Sequence, residues 1–411
     1  MNYRKLITVP VAIVMLFAAV PGFAADVNEL ERRLNIVSEE LDKLKNSSGG
    51  HSDGLASRTA VHGYGEVHLQ MPDNGPKVID AHRFVIGVHS ELNSWIHFNA
   101  EIDFEHAAQT LEFEFSYLDF LLQDNFNVRA GVVLMPVGNL NENHEPPLFW
   151  TAERPEFHSK ILPTTWQQAG AGGFGSFGDL NWRVYLVNSL QGISTGEDGN
   201  SGYFDDKQGL RSGRLQIDEV RMENMAITGR VEKKFTGGQL GFSFYRGDST
   251  QDLIPEDGTV TLLEADMKWR KGALELNNSI ANIDISDADE MNTFCAASSG
   301  GRGSGKCRND IPDTVFGVNL QAGLHLPQAM GWNTTYDIIP HIMWEKIRPA
   351  DEFGPLAATA SRAKNFDRFL IGVSYMPDPK VAVKLDWSTY DYQPPETDDK
   401  NRVDLALAWM Y

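Results

Sequence analysis

Arg402-Val-Asp-Leu-Ala-Leu-Ala-Trp-Met-Tyr411 is the stretch on which the fold turns. Val403, Leu405, Leu407, Trp409 and Tyr411 share one face, and Arg402, Asp404, Ala406, Ala408 and Met410 share the other, which is the period of two of a β-strand. One face is wholly apolar and carries two aromatics at one end. That pattern belongs to a strand crossing a bilayer, with Trp409 and Tyr411 in the aromatic girdle at one membrane interface.

The same alternation recurs upstream. Ile96, Phe98, Ala100, Ile102 and Phe104 alternate with His97, Asn99, Glu101, Asp103 and Glu105, and Val381, Val383, Leu385 and Trp387 alternate with Ala382, Lys384, Asp386 and Ser388. About sixteen such segments fill residues 58–411. A soluble β-sandwich also produces dyads, so connection length has to separate the readings. One set of connections is tight: Leu92-Asn-Ser94, Gln123-Asp-Asn125, Pro377-Asp-Pro379. The other set is long: 136–164, 190–221, 283–312 and 346–365. Short turns strictly alternating with long loops predict an all-β fold, an antiparallel transmembrane barrel of ~16 strands. Segments of ~10 residues match a tilted strand across a bilayer. Closure also removes the exposed edges that so many strands would otherwise present.

The long interval 136–164 is then the third loop. It abandons alternation for prolines, aromatics, histidines and charges, and loops this long inside a compact fold are usually functional. It is expected to fold into the barrel and narrow the pore. Its candidate constriction residues are Glu142, His144, Glu145, Glu153, Arg154, Glu156, His158 and Lys160. Alternation places Glu101, Asp103, Glu105, Arg129, Arg183, Arg230, Arg368 and Lys384 on the pore-lining face, with acids such as Glu66, Glu264 and Asp266 beside them. Carboxylates at a constriction favour cations, and acids outnumber bases in the third loop, so a weak cation preference is expected. Histidines crowd the first third: His62, His68, His82, His89, His97 and His106. Imidazole with carboxylate suits transition metals, but ordinary polar lumen filling explains them equally, and no metal or other cofactor is assigned. No nucleophile elbow, phosphate-cradling glycine loop or His-Glu-x-x-His occurs, so no catalytic residue is assigned and no enzyme activity is expected.

Ahead of the barrel, Arg4-Lys5, an apolar run from Leu6 to Val20 and small residues before Ala25 read as a signal peptide over residues 1–24. An uncleaved anchor is the alternative, but the run falls short of the ~20 residues a spanning helix needs. Removing residues 1–24 takes away Arg4 and Lys5 and no acid, moving the formal charge from −20 to −22. Such a balance repels nucleic acid. In residues 25–47, Val27, Leu30, Leu34, Val37, Leu41 and Leu44 follow an a/d heptad spacing, which predicts a periplasmic coiled-coil helix that self-associates. A single amphipathic helix on the barrel is the other reading. Residues 48–57 are a Gly/Ser-rich linker. Cys295 and Cys307 are the only cysteines, and in an exported chain they are expected to form one disulfide closing a surface loop.

Tyr117-Leu-Asp-Phe120, Phe126-Asn-Val-Arg-Ala-Gly-Val-Val-Leu-Met-Pro-Val-Gly138 and Gln167-Gln-Ala-Gly-Ala-Gly-Gly-Phe174 together resemble the phosphate-selective porin O and P type of Gram-negative outer membranes. The resemblance covers the barrel from about residue 58. It implies a sixteen-stranded homotrimer whose third loop constricts the channel, set among outer-membrane lipid and lipopolysaccharide. It further implies the barrel-assembly machinery as a partner and small hydrophilic solutes as cargo. The acid-rich third loop departs from the family's basic constriction, so phosphate binding is carried over to no residue. Two alternatives remain beside a passive diffusion porin: a phosphate- or anion-selective porin, and a structural tether acting through the coiled coil.

Overall fold

The closing strand pairs on both sides in a computed structural model that describes residues 58–195, 202–215, 217–297, 307–357, 360–394 and 400–411. The signal segment 1–24, the heptad segment with Val27 to Leu44 and the linker 48–57 lie outside these residues.

Sixteen strands follow one another. The first eight are β1 (Thr59–Pro72), β2 (Val78–Glu91), β3 (Ile96–Glu105), β4 (Thr110–Gln123), β5 (Phe126–Leu134), β6 (Gln167–Phe177), β7 (Leu180–Asn188) and β8 (Met225–Phe235). The rest are β9 (Gly238–Gly247), β10 (Val260–Lys271), β11 (Leu274–Ile285), β12 (Thr314–Leu324), β13 (Asp337–Glu352), β14 (Phe366–Asp378), β15 (Val381–Tyr392) and β16 (Lys400–Met410). Each pairs with its chain neighbours, and β1 pairs antiparallel with β16, which closes the barrel. At the seam the Gly63 and Tyr411 backbones exchange bonds of 2.9 and 3.2 Å, and Tyr411 Oη donates to Val85 O at 3.0 Å. Gly65 is required there, because a Cβ would stand 2.5 Å from the Trp409 ring.

Along β16, Leu405 and Leu407 are exposed while Asp404, Ala406 and Ala408 are buried. The apolar face therefore points outward and the other faces the lumen, as alternation requires. No helix among the described residues is long and apolar enough to cross a membrane. Among the described residues helix is confined to short pieces, including α1 (Ala288–Ala297) and α2 (Leu326–Met330).

The alternation of connection lengths is looser than the sequence reading expects. On the long-loop end, 73–77 and 106–109 are short connections. On the tight-turn end, 325–336 is long, because Pro327 opens α2 and Gly331, at φ +67°, ends it. Strand β13 also runs to Glu352, past the expected end at 345, since Lys346, Ile347 and Arg348 continue to pair with β12 and β14.

Most buried apolar side chains gather inside the barrel. Val187, Tyr245, Leu262, Ile283 and Ile347 project inward near the loop end of their strands. Against them pack Phe157 and Trp166 of the third loop, Ile193 and Phe204 of the β7–β8 loop, and Met291 of α1. Burial of this apolar surface holds three loops within the lumen rather than splayed outward.

Candidate channel lumen and constriction

Inward-facing residues along one strand change character from end to end. On β10 the row runs Val260, Leu262, Glu264, Asp266, Lys268, Arg270, apolar at the loop end and basic at the turn end. On β11 it runs Glu275, Asn277, Ser279, Ala281, Ile283, Ile285, again apolar at the loop end but acidic and polar at the turn end. The turn-end half encloses a cavity of about 2310 Å³, lined by Asn127, Arg129, Arg183, Glu232, Lys268 and Asn319 among others. Its roof is third-loop residues Asn139, Leu140, Glu142, Asn143, Leu148, Phe149, Pro155 and His158.

The third loop is pinned at many points. Asn141 Nδ2 donates to Met135 O at 2.8 Å and Trp166 O at 2.9 Å, and Asn141 Oδ1 accepts from Trp166 N at 2.9 Å, so one amide ties both ends of the loop together. Lys384 Nζ donates to Pro146 O and Thr151 O at 2.6 and 3.0 Å. Phe157 N donates to Glu345 Oε1 at 2.9 Å, and Glu345 Oε2 lies 3.4 Å from Arg368 Nη1. Phe157 and Ile161 press on β12 at Gly317, where a Cβ would stand 2.5 Å from Ile161. These bonds fix the loop across the bore.

The candidate constriction residues divide into anchors and liners. Glu142 lines the cavity, paired with Arg183. His158 also lines it, and burial, followed by the charges of Arg154 and Arg230, lowers its imidazole to about 3, which keeps it neutral. His144 is buried, with Nδ1 2.8 Å from Asn141 O and Nε2 2.8 Å from Tyr64 Oη. Burial and then Arg154 hold it well below the ordinary range, so it too is uncharged. Glu153 Oε1 lies 2.8 Å from His68 Nδ1 and accepts from Gln70 Nε2 at 2.8 Å, which ties the loop to β1. Glu156 Oε1 is 3.4 Å from Tyr390 Oη, while Glu145 and Lys160 are half-buried. Among the strand residues, Arg129 makes a double bond pair to Asp119 at 2.7 and 2.9 Å and stacks 3.9 Å over the Tyr117 ring. Arg230 is held by Ser243, Glu232, Glu264 and Asp266. Cations of this lumen are mostly paired, which restrains their side chains and neutralises them locally.

A second wall has a different character. Glu66, Arg83, Glu101, Asp103, Glu105, Glu112 and Glu114 line β1–β4, with Asp103 0% exposed. Three arginines from loops act on this wall. Arg154 comes from the third loop; Arg211 and Arg214 come from the β7–β8 loop and donate to Thr164 O and Thr165 O at 2.7 and 2.6 Å. Arg214 is coupled electrostatically to Glu112 and Glu114, and Arg211 to Glu105. Acids on the wall thus face loop arginines, which sets a field across the bore. Glu112, Glu114, Arg211 and Arg214 escaped the sequence reading. The first two are visible as the polar phase of Leu111-Glu-Phe-Glu-Phe115. The arginines carry no such signal, because a loop has no period.

Cys295 and Cys307 are joined by a disulfide, with Cα atoms 5.2 Å apart, and both sit in the apolar cluster at the loop end.

No family model matches the chain. A protein of Aquifex aeolicus described as "Uncharacterized protein" is 27% identical over 362 residues, covering 86% of this chain and 80% of that one. Among solved structures, OmpF of Salmonella typhi superposes with TM-score 0.55 at 10% identity, and the channel DcaP of Acinetobacter baumannii with 0.54 at 12%. Each match covers 86% of this chain and 97% of the other. An anion-selective porin from Comamonas acidovorans gives 0.51 at 9% identity, over 86% of this chain and 99% of that one. At such identities the likeness is one of fold: this chain is a closed sixteen-stranded barrel resembling outer-membrane porins.

Proposed function

We propose that this protein is an outer-membrane porin of a Gram-negative bacterium, a passive channel for small hydrophilic solutes with a weak preference for cations. The observation that carries the reading is the 2310 Å³ cavity under an inward-folded third loop, lined by charged side chains such as Arg129, Arg183, Glu232 and Lys268, inside a closed barrel with an apolar outer face. On the β1–β4 wall the adjoining loops 73–77 and 106–109 are short, and Glu105 and Glu112 stay half-buried near the rim. The excess of carboxylates over arginines on that wall supports the cation preference. In this reading the turns face the periplasm and the loops face outward. The heptad at Val27–Leu44 helps join a homotrimer, the linker 48–57 leads into the barrel 58–411, and residues 1–24 are removed on export. Lipid, lipopolysaccharide and the barrel-assembly machinery are its partners.

The test is the reversal potential of the purified full-length protein in planar bilayers under a salt gradient. A cation-selective sign is expected, moving toward zero in Glu105→Gln/Glu112→Gln. An anion-selective sign, abolished by millimolar phosphate, would replace this reading with a phosphate-selective porin. Absence of conductance would end the channel reading altogether.

A further inference from the structure

Six histidines crowd the first third of the chain, and the barrel sorts them by height. His62, His89 and His97 lie toward the turn end, where the His89 and His97 rings meet at 5.4 Å. His68, His82 and His106 lie toward the loop end, beside Asp80.

We propose that Asp80, His82 and His106 form a binding site for one divalent transition-metal ion of borderline softness, zinc in the first instance, at the loop-end rim of the β1–β4 wall. Asp80 Oδ2 lies 3.1 Å from His82 Nδ1 and 2.8 Å from His106 Nδ1. All three ligand atoms lie within 4.8 Å of one another. Two imidazoles and a carboxylate form a donor set that suits zinc and its neighbours, and a small inward shift of the rings around an ion leaves a fourth position for water.

Three features prepare the site. First, the backbone holds the two histidines in register: His106 N donates to His82 O and Ala107 N to Ala81 O, both at 3.0 Å. The chain then turns through three successive left-handed residues, His106, Ala107 and Ala108, at φ 50°, 56° and 66°. Non-glycine residues adopt that conformation only when their surroundings impose it.

Second, the ligands are reachable. His106 has a side chain 47% exposed, while Asp80 and His82 are half-buried at 27% and 26%. An ion can arrive without unfolding the rim, and the acids Glu105 and Glu112 nearby favour its approach.

Third, the ring of His82 is backed. His68 stacks on it with centroids 4.7 Å apart and is itself held between Glu66 Oε2 and Glu153 Oε1, each at 2.8 Å. Such outer contacts fix ligand orientation. They also set the proposed ion two side chains from the third loop, through His68 to Glu153. Binding moves one proton on each of the two rings: the Nδ1 hydrogens that face Asp80 Oδ2 give way to the ion, and each ring carries its hydrogen on Nε2 instead. For His82 that atom faces Arg83 Nη2 at 3.4 Å, too long for a strong bond, and the same Arg83 nitrogen keeps its 2.9 Å bond to Glu105 Oε1.

The test titrates zinc into the folded full-length protein in detergent by calorimetry, and cobalt with a visible absorption readout. One zinc per chain is expected, with cobalt giving the ligand-field bands of a low-coordinate nitrogen and oxygen site. Losing an outer partner typically weakens a metal site by about 10–100-fold, so His106→Ala and Asp80→Asn should each weaken zinc by at least about tenfold. His89→Ala/His97→Ala should leave it unchanged. Heat-modifiable mobility on gels checks that each variant is a folded barrel, and the cobalt spectrum of the unaltered protein tests the site without any variant. Absence of zinc heat and cobalt bands up to millimolar metal would overturn the proposal and leave a hydrogen-bonded trio. Binding that survives both ligand variants, or that falls equally in the His89/His97 variant, would overturn it too. None of these readouts depends on conductance.

Discussion

The lumen has two walls that treat the loop end in opposite ways. On β7–β12 the inward rows finish in Val187, Tyr245, Leu262 and Ile283, and long loops fold down to cover them. On β1–β4 the inward rows stay charged to the rim, through Glu105, Asp80 and His82, and the adjoining loops are short. Apolar rows recruit loops because burying them against Phe204 or Trp166 removes both surfaces from water. Charged rows are met by loop arginines instead, Arg154 beside Asp103 and Arg214 beside Glu112 and Glu114, since a carboxylate beneath a purely apolar loop would lose its hydration without a partner. The difference teaches that the side chains at the loop end of each wall's own strands decide what kind of loop covers it.

Three changes break or sharpen that contrast. The largest effect is expected at Phe204, fully buried in the apolar cluster with Met291 at hand. Phe204→Ala should remove about 3–5 kcal/mol of packing from the β7–β8 loop. Single-channel current would rise and amide protection over 202–213 would fall; unchanged values for both would mean that this loop does not close the apolar side.

Next comes Asn141→Ala, which removes the amide bonding both ends of the third loop. Met135 O keeps Val137 N and Trp166 O keeps Met135 N, but the Trp166 N–H loses its acceptor, which should cost about 1–3 kcal/mol with the barrel itself intact. Open-channel current noise should increase, and a quiet channel would show that Lys384 and Glu345 hold the loop alone.

The smallest effect is a pH response of the loop cover. Burial, then the charges of Asp310 and Asp205, push the Asp206 carboxyl up to about 6, against Ser361 N, which donates to Oδ2 at 2.9 Å, and Arg308 Nη2, 3.9 Å from Oδ1. A raised value means the folded state binds this proton more tightly than the unfolded chain. The contribution is complete below the ordinary value of 3.8 and is lost as pH rises through about 6. Hydrogen exchange around Asp205–Gly209 should therefore be slower at pH 5 than at pH 7.5 once corrected for intrinsic rates. Asp206→Asn should flatten the difference; a slope that persists in that variant would assign it to another group.

The strands were legible in the chain. Period-two alternation located most of them to within a few residues, because a barrel strand must show lipid one face and the lumen the other along its whole length. The ends were less legible: β13 continues to Glu352 because its neighbours keep pairing with it, and pairing is not a property of one segment. The third loop was visible as a break in pattern, yet the part each residue plays was not. Glu153 and His144 appear in the chain as charges near a pore, and the fold makes them ties to His68 and Tyr64.

By itself, then, the amino-acid order determined the barrel, its outward face, its long third loop and the one available disulfide. All of these follow from local period, composition or count. Only the tertiary structure decided which acids face arginines, which loops fill the bore, and that Asp80, His82 and His106 meet at one rim. These depend on register between strands distant in sequence, where a shift of one residue turns a side chain from the lumen to the lipid.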